Sequence, residues 1–121
     1  MPHILIIDDS PTEVQVFSSL LEKNGFRVSS ASNAEDGIAR VRQERPDLVI
    51  MDVIMPGMNG FQATRTLSRD AATANIPIII VTTKAMQTDR AWGLRQGARD
   101  FLTKPIDPRD LISRIHGLLP N

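Results

Sequence analysis

The 121 residues contain no cysteine, which excludes disulfides and thiolate metal sites and is the pattern expected of a chain kept in a reducing cytoplasm. There is no net charge either: 14 Lys and Arg balance 14 Asp and Glu. A nucleic-acid footprint would be basic and clustered, so nucleic acid is not an expected partner. No apolar run approaches the roughly 20 residues that span a bilayer, so no membrane insertion is expected. The N-terminal apolar run stops at Asp8-Asp9 and is no signal peptide. Linkers, repeats and low-complexity tracts are missing, and residues 1–121 read as a single domain, long enough for a real core.

The balance of charge hides an asymmetry. Residues 1–60 hold five Lys/Arg against nine Asp/Glu, a net of −4, and residues 61–121 reverse this to +4. One end of the chain can therefore be acidic and another face basic.

Leu48-Val49-Ile50-Met51 runs unbroken into Asp52, and Pro56-Gly57 ends the stretch. A strand buried on both faces reads this way. Ile4-Leu5-Ile6-Ile7 runs likewise into Asp8-Asp9. Strands are predicted over His3–Ile7, Arg27–Ala31, Leu48–Asp52, Ile76–Val81 and Arg99–Leu102. Helices are predicted between them. The first opens at Ser10-Pro11-Thr12-Glu13, with Ser10 as cap and Glu13 completing a capping box. Asn33 caps the second, which reaches Glu44; Asn59 or Gly60 opens the third, to Arg69. The fourth covers Met86–Gln96 and the fifth starts at Asp107-Pro108. Alternation of this kind predicts an α/β, doubly wound (βα)5 fold with a five-stranded parallel sheet. The polar second and fifth strands belong at the edges, which with right-handed crossovers gives the order 2-1-3-4-5. The switch point of that order lies between strands one and three, where ligands bind beyond the carboxyl ends. Asp8, Asp9 and Asp52 fall there.

Three neighbouring carboxylates repel. Two unit charges 4 Å apart interact by about 4 kcal/mol at an effective dielectric near 20. A cation relieves this, and oxygen-only donors suit Mg²⁺, with Mn²⁺ as the alternative. Lys104, ending the fifth strand, can reach back over the sheet toward Asp52, and Pro105 after it points to a fixed loop geometry with a cis bond as one option. Thr82 can present a hydroxyl to the same place.

Asp8-Asp9, the Asp52 run with Met55-Pro56-Gly57-Met58-Asn59-Gly60, Thr82 and Lys104-Pro105 together resemble the receiver domain of bacterial response regulators, in order and spacing, over essentially the whole chain. The flavodoxin-like fold of CheY-like receivers is what that resemblance implies. With no room for an output domain, the chain resembles the stand-alone members. The stretches Asp8 to Glu13, Gly60 to Arg65 and Thr82-Thr83-Lys84 further resemble receivers of twitching-motility systems.

The resemblance implies a phosphoacceptor signalling protein rather than an enzyme, in which Asp52 takes a phosphoryl group from a histidine kinase or phosphotransfer domain. Mg²⁺ would be held by Asp8, Asp9, Asp52 and the main-chain carbonyl of Ile54. Lys104 and Thr82 would bind phosphoryl oxygens. Thr82 would move toward them and Phe101, at the aromatic switch position, would turn inward. A face of the fourth helix, fifth strand and fifth helix would then meet a downstream protein, with the chain a monomer or weak dimer. Phe101 lacks the hydroxyl of the Tyr frequent there, and ordinary core packing explains it equally well. Thr83 stands where Ala or Gly is frequent, and Ile54 and Lys84 flank positions that influence phosphoryl lifetime. Trp92, Met55 and Met58 are expected in the core, and His3 and His116 in structural or solvated roles.

Rival readings are a phosphate sink or relay shuttle, a phosphorylation-independent interaction module, and an aspartyl-nucleophile phosphohydrolase. The last usually carries an acid two residues after the nucleophile, where Ile54 stands, and a substrate cap for which there is no chain. A nucleotide-binding domain is disfavoured by the absence of G-x-G-x-x-G and of a P-loop.

Overall fold

The computed structural model describes residues 1–84 and 86–120. Ten elements alternate along the chain: β1 (His3–Ile7), α1 (Pro11–Lys23), β2 (Arg27–Ala31), α2 (Ala34–Glu44), β3 (Leu48–Met51), α3 (Gly60–Arg69), β4 (Ile78–Thr82), α4 (Gln87–Arg95), β5 (Asp100–Thr103) and α5 (Pro108–Leu118). All strand pairs are parallel and the order is β2-β1-β3-β4-β5, as the apolar and polar strand patterns predict.

Alternate residues of each strand feed two cores. Leu5, Ile7, Val49, Met51, Ile78 and Ile80 face α2 and α3 through Ile38, Val41, Phe61 and Leu67. Ile4, Ile6, Leu48, Ile50, Ile79 and Val81 face the other way, onto Phe17 and Leu21 of α1 and Leu111 and Ile115 of α5. Burial of both faces explains the unbroken apolar strands.

Boundaries shift by a residue or two. β3 ends at Met51, leaving Asp52 just outside it. β4 starts at Ile78 instead of Ile76, because Pro77 has no N–H for the ladder, and it runs on to Thr82. β5 slides to Asp100–Thr103, with Thr103 opposite Thr82. α4 is shorter than expected; Met86 is its N-cap and offers no side-chain oxygen to its free N–H groups.

Candidate phosphoryl and metal site

Register puts the acids together. Ile7 is level with Met51 across the β1–β3 pair, so Asp8 and Asp52 leave the sheet side by side. Asp52 N–H still donates to the Ile7 carbonyl at 2.9 Å. Asp8, Asp9 and Asp52 each offer a carboxylate oxygen, and these lie within 4.8 Å of one another. Asp8 and Asp52 are buried and Asp9 is exposed. Three hard oxygen donors without nitrogen or sulfur fit Mg²⁺ or Mn²⁺.

Gly60 is part of this construction. It opens α3 so close beneath the sheet end that a Cβ there would collide with the Asp52 carbonyl oxygen. Asn59 caps the same helix by a full capping box with Gln62: its side chain accepts from Gln62 N–H at 2.9 Å, and Gln62 Oε1 accepts from Asn59 N–H at 3.0 Å. The loop between Asp52 and α3 is thus tied at its far end.

Lys104 closes the site from β5. Its N–H donates to the Thr82 carbonyl at 2.8 Å and its bond to Pro105 is cis. The ammonium is 3.1 Å from Asp8 Oδ2, 3.7 Å from Glu13 Oε2 and 3.8 Å from Asp52 Oδ2. Its shortest partner is therefore Asp8, not Asp52. Burial pushes the ammonium down, but Asp52, Asp8 and Glu13 together hold it above the usual lysine range. Asp52 is raised above the usual carboxylate range: burial dominates, Asp8 adds to it, and Lys104 with the Val53 and Ile54 amides opposes. Thr82 is fully buried at the end of β4, and its Oγ1 accepts from Lys84 N–H at 3.3 Å.

Several expectations are corrected. Glu13 does not complete a capping box. Ser10 Oγ does accept from Glu13 N–H, but Ser10 N–H donates to Asp8 Oδ1 at 2.9 Å, so the Glu13 carboxylate is free to face Lys104. Only the tertiary return of β5 to α1 shows this, since 91 positions separate the two residues. Trp92 is not in the core: it is 47% exposed on α4, because the apolar contacts of that helix pass through Gly93, which lies against Ile80 and Phe101. Phe101 is already inward, 3% exposed in the α2–α3 core, so an inward turn is not available to it from this state. Met55 is buried and Met58 packs partly against the same core. His3 is buried with Nε2 2.7 Å from Ser29 Oγ, and His116 is exposed beside Phe26. Ile54 has an exposed side chain, and Lys84 pairs with Asp89 at 3.7 Å.

Acids at the β1 and β3 tips, a hydroxyl at the β4 tip and a lysine at the β5 tip, carried on a parallel sheet of order 2-1-3-4-5, define a class: receiver-like α/β proteins with an acidic site at the switch point of the sheet. The chain belongs to the response regulator receiver domain family, which matches residues 4–116. It is 57% identical over 119 residues to protein PilH of Pseudomonas aeruginosa, a match covering 98% of each chain. It is 39% identical to the DNA-binding transcriptional regulator RpaA of Synechocystis, spanning 98% of this chain and 49% of that one. Among solved structures, Vibrio cholerae chemotaxis protein CheY4 superposes with a TM-score of 0.91 at 29% identity, covering 98% of this chain and 99% of that one. This is a response regulator receiver of two-component signalling, with the CheY-like order of strands. Among the described residues no helix is long and apolar enough to cross a membrane.

Proposed function

We propose that Asp52 accepts a phosphoryl group from the phosphohistidine of a partner kinase or phosphotransfer domain. The observation that carries this is the meeting of Asp8, Asp9 and Asp52 within 4.8 Å, with the Lys104 ammonium 3.8 Å from Asp52. An Asp52 carboxylate oxygen forms the new P–O bond, the P–N bond to the imidazole breaks, and the imidazole nitrogen keeps the electron pair and takes a proton.

Asp8, Asp9, Asp52 and the Ile54 carbonyl would hold Mg²⁺, which when bound supplies charge neutralisation at the phosphoryl oxygens. The chain's own residues do the rest. Lys104 leaves its acid partners for a phosphoryl oxygen, and Thr82 turns its hydroxyl from Lys84 N–H toward another. Transfer of this kind is mostly positioning and electrostatics. Movement of Thr82 then alters the face of α4, β5 and α5 offered to a downstream protein. Phe101, bounded by Gly93 and Ile80, would report that change by repacking from its inward state. Inverting such an equilibrium from 1:99 to 99:1 requires about 5.5 kcal/mol. The 57% identity to PilH supports the resemblance to twitching-motility receivers, and that resemblance implies a place in type IV pilus twitching motility or chemotaxis-like signalling.

The test is Mg²⁺-dependent labelling by acetyl phosphate of the native chain and of Asp52→Ala. The native chain takes one phosphoryl group and the variant takes none. Labelling that survives the substitution overturns the assignment.

A further inference from the structure

We propose that Glu13 is a positioning residue for Lys104: its carboxylate competes with the incoming phosphoryl group for the ammonium and so slows phosphoryl acceptance. The inference rests on the reading of Asp52 as phosphoacceptor and extends it to a residue of α1.

The geometry begins with a bond that is missing. At the third position of α1, after a Ser cap, a Glu normally reaches back to the cap's own N–H. Here Asp8 Oδ1 already takes Ser10 N–H at 2.9 Å, and Asp8 Oδ2 takes Lys104 at 3.1 Å. The Glu13 carboxylate turns instead to Lys104 Nζ, 3.7 Å away. Lys104 is thereby held by three carboxylates, two of them well buried. Glu13 is the partner that differs: its side chain is 41% exposed, and with Lys104, Phe17 and Val16 it lines an open groove between α1 and the β5–α5 loop.

Lys104 must give up part of this arrangement to meet a phosphoryl oxygen. Asp8 and Asp52 lose little, because a bound cation replaces the lysine for them. Glu13 is outside the group of acids within reach of that cation. Its hold on Lys104 is therefore uncompensated.

The experiment measures the rate of labelling by acetyl phosphate at saturating Mg²⁺ in the native chain, Glu13→Gln, Lys104→Ala and the double variant, each from low to high salt. Glu13→Gln is isosteric and leaves the Ser10 cap in place. Its rate should exceed native by about three- to fivefold at low salt, shrinking as screening grows. In the Lys104→Ala background the same substitution should change the rate less than about twofold, since the effect passes through the ammonium. A purely helical role for Glu13 predicts a lowered Tm with no change of rate. Native labelling at Asp52 with equal rates for Glu13→Gln overturns this inference alone, as does a full effect in the Lys104→Ala background. A native chain that takes no label at Asp52 overturns the phosphoacceptor reading and this inference with it.

Discussion

Replacing Lys104 by Met removes the lysine cation that faces two buried acids. Asp8 and Asp52 are 3% and 8% exposed, and the lysine side chain between them is 11% exposed. Deleting one member of a buried charge pair costs about 3–5 kcal/mol, because the remaining charge is left in low dielectric. The low end applies here. Asp52 keeps the Val53 N–H at 2.8 Å, Asp8 keeps Ser10 N–H, and Asp9 stands on the solvent side. Glu13 adds little, since exposed pairs contribute below about 1 kcal/mol. A loss of about 3 kcal/mol lowers the Tm of a domain this size by about 10 °C. Divalent cation should return much of it, because the lysine and the metal neutralise the same carboxylates. Stabilisation by a ligand at 100 times its Kd is about 2.7 kcal/mol. Without the competing ammonium, Lys104→Met should reach that level at lower Mg²⁺ than the native chain. Thermal and urea unfolding of both proteins across a Mg²⁺ series is the assay. A variant that melts within about 1 °C of native without Mg²⁺ refutes the reasoning, as does equal stabilisation of the two by the metal.

Gly60→Ala should destabilise by about 1–3 kcal/mol and weaken Mg²⁺ binding, because the new methyl meets the Asp52 backbone and not a movable side chain; urea unfolding and calorimetry check both. Asp52→Asn should raise the midpoint of unfolding at pH 7 without metal. The native pKa is raised, so ionised Asp52 costs stability: full stability holds below 3.8, the unfolded value, and is lost as pH rises through the folded value, and the variant's advantage should vanish at the acid end. His3 behaves oppositely. Burial, then Arg27, holds its pKa below 6.5, so the neutral ring contributes stability that is present above 6.5 and lost as pH falls through the lower folded value. Native protein should lose urea resistance as pH falls below 6.5, and His3→Phe should flatten that slope.

What the sequence determined by itself is the fold and the location of the acids. Three apolar strand cores of period one, two polar edge strands and four helix starts with Ser, Asn, Asn and Asp caps are local signals, and they leave one strand order and one switch point. Asp8, Asp9 and Asp52 follow directly, since each sits where its strand ends. The tertiary structure decided what no local window contains. It gave Lys104 to Asp8 before Asp52, turned Glu13 from a helix cap into a partner of a residue far along the chain, and packed Phe101 inward. It also left Trp92 in solvent, because Gly93 lets β4 and β5 approach α4 without it. Hydrophobic periodicity reports which face is buried; which charges meet depends on how five loops converge at one end of a sheet, and that is a property of the folded chain alone.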